Sequence, residues 1–103
     1  MYLCQWSFDV PYGKQREALV AVKAWGEEKM RSSTFRKSKN RLMVGHVGAS
    51  ASRVVDEYLF ERLEDFERAL EDMGQPQFRK HSDALAPFVV PGTQRWTVYR
   101  VVE

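Results

Sequence analysis

The sequence contains little of the chemistry that metal and redox sites need. Its single cysteine, Cys4, excludes an intrachain disulfide and any cluster of cysteine ligands. Its two histidines, His46 and His81, are far apart in the chain and have no spacing typical of metal ligands. Gly45 and Gly48 lie in or beside an expected strand, not at a helix start, so they form no phosphate-binding loop. We therefore expect neither a bound metal nor a cofactor.

Long apolar runs are also missing. No stretch approaches the roughly 18 apolar residues that a membrane span requires, and the start lacks the basic and then apolar pattern of a signal peptide. We expect a cytoplasmic protein without a membrane partner.

Charge is present in quantity but unevenly distributed. The net charge is +2, with nine basic and four acidic residues over 1–41 and three basic and eight acidic residues over 42–72. Such a dipolar arrangement favours complementary protein surfaces over a nucleic-acid partner. Aromatic residues make up 13% of the chain, which is more than one small core readily buries. We therefore expect a second apolar surface.

Four segments have the pattern of β-strands. Residues 2–10 and 94–102 alternate between two faces, and in residues 2–10 one face is wholly apolar. Residues 41–47 and 53–61 flank a turn of small residues, which predicts a central hairpin.

Two segments between these strands have helical spacing. Over residues 14–33, one stripe contains Leu19, Val22, Gly26 and Met30, and we expect Gly26 to allow close approach to the sheet. The basic segment 29–41 is interpreted as the helix end and a solvated loop. A second helix follows from Leu63 until Gly74 and Pro76 stop it, and residues 77–86 are compatible with a short third helix.

The order β-α-β-β-α-β predicts an α+β, ferredoxin-like domain over 1–103. Right-handed crossovers produce a four-stranded antiparallel sheet with two helices on one face. The first and third strands are then interior, and the second lies at an edge. Because every strand also has apolar residues on the other face, we expect a homodimer in which a second sheet covers that face.

The chain resembles the dimeric α/β-barrel superfamily, which includes NIPSNAP-like, antibiotic-monooxygenase-like and stress-responsive barrel proteins. The resemblance depends on the strand, Pro-x-Gly and helix start of residues 2–14, on Leu63-Glu-Asp-Phe66, and on the segment 86–93 before the last strand. It differs from NIPSNAP sequences in the first strand, where Gln5 and Ser7 replace the usual Arg and Glu. The resemblance implies the fold, and either an enzyme or a protein of no assigned chemistry.

His46 is the candidate catalytic residue. We expect it in the second strand, on the face that carries Leu42 and Val44, where a histidine inside a barrel could act as a general base. The alternative is a structural histidine hydrogen-bonded at the sheet surface. Five other side chains are candidates to line a cavity for a small apolar or aromatic ligand: Trp6, Tyr58, Trp96, Tyr99 and Arg100. For each of them, ordinary packing or surface pairing is the alternative.

Several functions remain open at this point. The chain could be a binding protein for a small apolar or aromatic molecule, a cofactor-independent monooxygenase that uses His46, or a dimer with a filled interior. A nucleic-acid-binding domain of the RNA-recognition type has the same strand order, with bases stacked on the first and third strands. Trp6, Phe8, Tyr58 and Phe60 fit that pattern, but Asp56 and Glu57 would repel phosphate, so we expect no nucleic-acid partner.

Overall fold

A four-stranded antiparallel sheet is the centre of the molecule. The computed structural model describes all residues, 1–103. The strands are β1 (Tyr2–Asp9), β2 (Lys39–Val44), β3 (Arg53–Phe60) and β4 (Arg95–Arg100), and their order in the sheet is β2-β3-β1-β4. The ferredoxin-like prediction is confirmed, with β1 and β3 interior and β2 at an edge.

Three helices connect the strands. They are α1 (Gln15–Ser32), α2 (Leu63–Asp72) and α3 (Arg79–Leu85), with 3₁₀ turns at Thr34–Lys37, Pro76–Phe78 and Ala86–Phe88. The third helix lies in the segment where the sequence suggested one. None of the helices has the length and apolar character needed to cross a bilayer.

The core lies between the helices and one face of the sheet. Alternation along β1 directs Cys4, Trp6 and Phe8 toward the helices, and alternation along β3 does the same for its even-numbered residues. One buried cluster joins the sheet to α1 and α3 and contains Trp6, Phe8, Val10, Ala18, Val22, Val54 and Leu85. A second cluster joins the sheet to α2 and the first 3₁₀ turn and contains Cys4, Phe35, Tyr58, Phe60, Phe66 and Ala69.

The opposite face of the sheet has no helix over it. Its residues form cross-strand rows, and in one row Leu3 lies between Leu59 and Tyr99. In the next row, the Glu57 carboxylate accepts hydrogen bonds from Gln5 Nε2 at 3.1 Å and from Arg41 Nε at 2.7 Å. This open face therefore combines apolar side chains with a cross-strand polar network.

The arrangement of the two faces bears on the RNA-recognition alternative. Trp6, Phe8, Tyr58 and Phe60 all belong to the buried clusters on the helix side of the sheet. Bases stack on the face that the helices leave free. These four aromatic residues therefore provide no surface for stacking bases. They no longer support an RNA-recognition domain.

Three local predictions are wrong. The second strand ends at Val44, so His46 lies in the following loop, where it is exposed. The segment 29–41 is not a solvated loop, because it contains the last turn of α1, a 3₁₀ turn with Phe35 fully buried, and the start of β2. Gly26 does not mark a close approach, since a Cβ placed there would meet no atom within 4 Å.

The glycine that does mark a close approach is Gly45, in the hairpin loop. A Cβ at Gly45 would lie 1.8 Å from the backbone oxygen of Ser50. The Gly45 N–H donates to the Arg53 carbonyl at 2.9 Å, so the loop folds back directly onto the end of β2. This tight loop ends the strand before His46.

Candidate functional site

A buried lysine lies at the centre of the molecule, between α1 and the sheet. Lys29 is only 2% exposed. It follows Val22 by seven positions and Trp25 by four, and helical periodicity places all three on the side of α1 that faces the sheet. The helix therefore brings a primary amine into an otherwise apolar interface.

Two residues of β3 receive this amine. Lys29 Nζ donates a hydrogen bond to the Tyr58 hydroxyl at 3.1 Å, and it lies 3.8 Å from Asp56 Oδ2. The Tyr58 hydroxyl donates to the same Asp56 oxygen at 2.5 Å, while Asn40 Nδ2 donates to the other carboxylate oxygen at 2.8 Å. Asp56 and Tyr58 are two positions apart, so the pleat of the strand directs both toward the helix.

Aromatic rings surround the amine. Lys29 Nζ lies 4.6 Å from the ring centre of Trp6 and 4.5 Å from that of Trp25, within the range of cation–π attraction. The rings of Phe35 and Tyr58 follow at 5.2 and 5.3 Å. These rings and Asp56 stabilise the ammonium form, whereas burial removes its hydration and destabilises it.

Burial and the charge of Asp56 have opposite effects on the pKa of Lys29, and the effect of burial is the larger. Burial lowers the pKa of Lys29 to about 8, although the negative charge of Asp56 acts in the opposite direction. Burial also raises the pKa of Tyr58, and the charge of Asp56 and the hydrogen bond to it add to the effect. The tyrosine therefore stays protonated, while the lysine exchanges its proton near neutral pH.

A pocket of about 150 Å³ opens beside the amine. Its lining is mostly apolar and includes every tryptophan of the chain: Trp6, Trp25, Lys29, Phe35, Leu70, Met73, Gln94 and Trp96. Trp6 and Trp96 are stacked with ring centres 6.2 Å apart. A cavity of about this volume accommodates a benzene-sized molecule in other proteins. The indole Nε1 of Trp25 is buried and has no hydrogen-bond partner within the protein.

The acid of the site also borders a second, more polar groove. This groove, of about 340 Å³, lies between α1 and β2, and Asn40 and Asp56 are among its lining residues. Lys29 lines the aromatic pocket and Asp56 lines the groove, so the hydrogen-bonded series Lys29–Tyr58–Asp56 extends from one to the other.

The structure brings together three of the six side chains that the sequence suggested for a site. Trp6 and Trp96 line the pocket, and Tyr58 holds Lys29. The other three lie elsewhere: Tyr99 is 55% exposed on the open face, Arg100 is exposed at the end of β4, and His46 is exposed in the hairpin loop. No finding tests the role of any of the six, and each remains a prediction.

Lys29 and Asp56 are the residues that sequence reasoning missed. In the sequence, Lys29 belongs to the basic segment 29–41, and Asp56 is one of the acids that would repel phosphate. A signal was nevertheless present, because Lys29 continues the i, i+3, i+7 series of Val22 and Trp25, and Asp56 alternates in phase with Val54 and Tyr58.

The fold is that of the NIPSNAP and antibiotic-monooxygenase-like proteins. A NIPSNAP domain protein from Burkholderia xenovorans superposes with a TM-score of 0.77 at 13% identity, over 99% of this chain and 95% of that one. SnoaB, a cofactor-independent oxygenase from Streptomyces nogalater, superposes with a TM-score of 0.72 at 17% identity, over 99% of this chain and 93% of that one. A candidate antibiotic biosynthesis monooxygenase from Nitrosomonas europaea does so with a TM-score of 0.70 at 14% identity, over the full length of both.

These likenesses establish the fold and confirm, at that level, the resemblance found in the sequence. No protein-family profile matches the chain, and no curated protein sequence matches it. At such identities the neighbours do not determine the chemistry.

Proposed function

We propose that the protein binds a single-ring aromatic molecule with a polar oxygen substituent, in the pocket between α1 and the sheet. The observation that carries the proposal is the buried amine of Lys29 beside an aromatic pocket of about 150 Å³. An apolar pocket with a few converging polar groups is the usual composition of a small-molecule site.

The polar groups of the pocket suit an oxygen substituent. Lys29 Nζ has three protons and uses one for Tyr58, so others are available to a ligand oxygen. The buried Nε1–H of Trp25 adds a second donor that has no partner in the protein. A phenol or a phenolate would place its ring among the tryptophans and its oxygen near these donors.

Tryptophan fluorescence provides a direct test, because all three tryptophans line the pocket. We expect p-cresol to change the tryptophan emission, and we expect this change to reach saturation as the p-cresol concentration rises. Lys29→Met should weaken the binding roughly ten- to hundredfold, since a hydrogen bond to a charged donor contributes about 1.5–3 kcal/mol. Lys23→Met is the matched control, because Lys23 is exposed on the same helix and should leave the affinity unchanged.

Two outcomes would contradict the proposal. One is the absence of a saturable signal with p-cresol, phenol and benzyl alcohol up to millimolar concentrations. The other is equal affinity in the wild type and in Lys29→Met, with both proteins folded by circular dichroism. The second outcome would show binding elsewhere on the molecule.

An oxygenase that needs no cofactor is the second candidate function. Its support is the named activity of SnoaB together with an amine that can accept a phenol proton near neutral pH. Oxygen uptake with p-cresol or a hydroquinone would test it. Loss of uptake in Lys29→Met but not in His46→Ala would assign the base to Lys29, and the reverse result would restore His46.

We further propose that the protein is a homodimer formed through the open face of the sheet. Leu3, Val55 and Leu59 lie on this face without a helix over them, and a second copy of the sheet would remove them from water. Size-exclusion chromatography with light scattering at micromolar concentration should yield about twice the 12.0 kDa of one chain. A mass of one chain would exclude this assembly.

We infer a cytoplasmic location from Cys4. Its thiol is free and fully buried against the core, and burial raises its pKa to about 11, so it lacks the reactivity of an exposed thiol. A protein whose single cysteine is unpaired suits a reducing compartment. Cell fractionation followed by immunodetection would test this, and recovery in a secreted fraction would overturn it.

A further inference from the structure

We propose that Lys29 forms a covalent imine with a single-ring aromatic aldehyde in the pocket. This goes beyond reversible binding but depends on the proposed pocket as the place where the aldehyde is held. Three features of the geometry carry it: a buried amine, an adjacent hydroxyl that can exchange protons, and an aromatic pocket at the same position.

The amine has the surroundings of a nucleophilic lysine. It is 2% exposed, lies between the rings of Trp6 and Trp25, and lines the pocket directly. Desolvation of this kind is one of the ways in which proteins activate lysine toward carbonyl compounds. With a pKa of about 8, roughly a tenth of Lys29 is neutral at pH 7, compared with well under one per cent for an ordinary lysine.

Tyr58 and Asp56 provide a path for the proton that the attacking amine loses. The Nζ lone pair attacks the carbonyl carbon, and the carbonyl π electrons move to oxygen. The Tyr58 hydroxyl, 3.1 Å from Nζ, can accept a proton from nitrogen while it passes its own proton to Asp56, and the alkoxide oxygen takes a proton from solvent. The carbinolamine hydroxyl then takes a second proton from solvent and leaves as water, and the nitrogen lone pair forms the C=N bond. The overall reaction joins one amine and one aldehyde into one imine and one water, without oxidation or reduction.

Asp56 favours the protonated imine. Its carboxylate lies 3.8 Å from Nζ and is held by hydrogen bonds from Asn40 and Tyr58. An iminium ion on Lys29 would therefore keep the charge partner that the ammonium ion has. Since a pocket of about 150 Å³ accommodates roughly one ring, the expected partner is a benzaldehyde and not a larger polycyclic carbonyl compound.

Reductive trapping tests the inference. The folded protein is incubated at about pH 7.5 with 4-hydroxybenzaldehyde and sodium cyanoborohydride, whose hydride reduces the imine to a stable secondary amine. Peptide mapping by mass spectrometry then locates the adduct. We expect one benzyl adduct per chain on Lys29, formed roughly tenfold or more faster than on any of the other five lysines.

Matched variants separate the possible results. Lys29→Arg should abolish the fast adduct, Lys23→Arg should leave it unchanged, and Tyr58→Phe should slow it. Labelling spread evenly over the exposed lysines, or fast labelling that persists in Lys29→Arg, would overturn the inference. The p-cresol titration keeps the two proposals distinguishable, because saturable p-cresol binding without Lys29 labelling would contradict the imine alone. Failure of both experiments would contradict the pocket.

Discussion

Lys29 is held in the charged state at a cost to folding. Moving an ammonium ion out of water is unfavourable, and the attraction of Asp56 and the neighbouring rings offsets only part of that loss. The part of this cost that is not offset lowers the pKa of Lys29. The folded protein therefore releases this proton more readily than the unfolded chain does. The pH dependence of stability therefore has a definite sign.

Stability should rise with pH as Lys29 loses its proton. The pKa is about 8 in the folded protein and 10.5 for an ordinary lysine, so between these values the unfolded chain binds more protons and unfolding becomes less favourable. We expect the free energy of unfolding to increase by about 1 kcal/mol between about pH 7.5 and pH 9. Urea denaturation at a series of pH values measures it.

Lys29→Met removes this titration and should flatten the pH dependence, whereas Lys23→Met should preserve it. The measurement has to stop near pH 9. Burial raises the pKa of Cys4 from 9.0 to about 11, so above pH 9 the unfolded chain loses the thiol proton first, and this offsets the rise in stability that comes from Lys29. An identical slope in the wild type and in Lys29→Met would contradict the assignment.

At the scale of single elements, two glycines differ in what they contribute. Gly26 lies inside α1 with open space around it, and Gly45 lies against the backbone of its own loop. The helix has no need of a glycine at Gly26, and alanine loses less conformational entropy there on folding. The hairpin loop has no room for a methyl group at Gly45.

Alanine should therefore have opposite effects at these two positions. Gly26→Ala should stabilise the protein by about 0.5–1 kcal/mol. Gly45→Ala should destabilise it by more than about 1 kcal/mol, because the Ser50 carbonyl must move. Thermal unfolding of both variants at one pH measures the pair. A lower melting temperature for Gly26→Ala would support the close approach that the sequence suggested at this position.

At the scale of the whole molecule, the proposed homodimer depends on apolar side chains on the open face of the sheet. Leu59 lies near the middle of this face, between Leu3 on β1 and Lys39 on β2. Leu59→Asp should place two carboxylates in the proposed dimer interface and produce folded monomers in light scattering. Val20→Asp is the control, because Val20 is 65% exposed on the helix side. A dimer that survives Leu59→Asp would rule out this face as the interface.

The topology could be predicted from the sequence to a greater extent than the site. Alternation along β1 and the order of elements were enough to predict the topology and the apolar face of β1, because these patterns are local and periodic. The site was only partly predictable, because it depends on a contact between Lys29 on α1 and Tyr58 on β3. The charge of the segment 29–41 contains no information on which of its basic side chains is buried. Only the three-dimensional packing shows that Lys29 faces the sheet.

The position of β1 has a consequence for how the protein is synthesised. β1 pairs on one side with β3 and on the other with β4, where Tyr2 lies opposite Arg100. A ribosome delivers β1 well before β4, so the strand at the centre of the sheet has an unpaired edge until almost all of the described chain has emerged. Contacts so distant in sequence form slowly, and exposed strand edges favour aggregation. We therefore expect nascent chains truncated before Arg95 to depend on chaperones for solubility, although the finished domain is small.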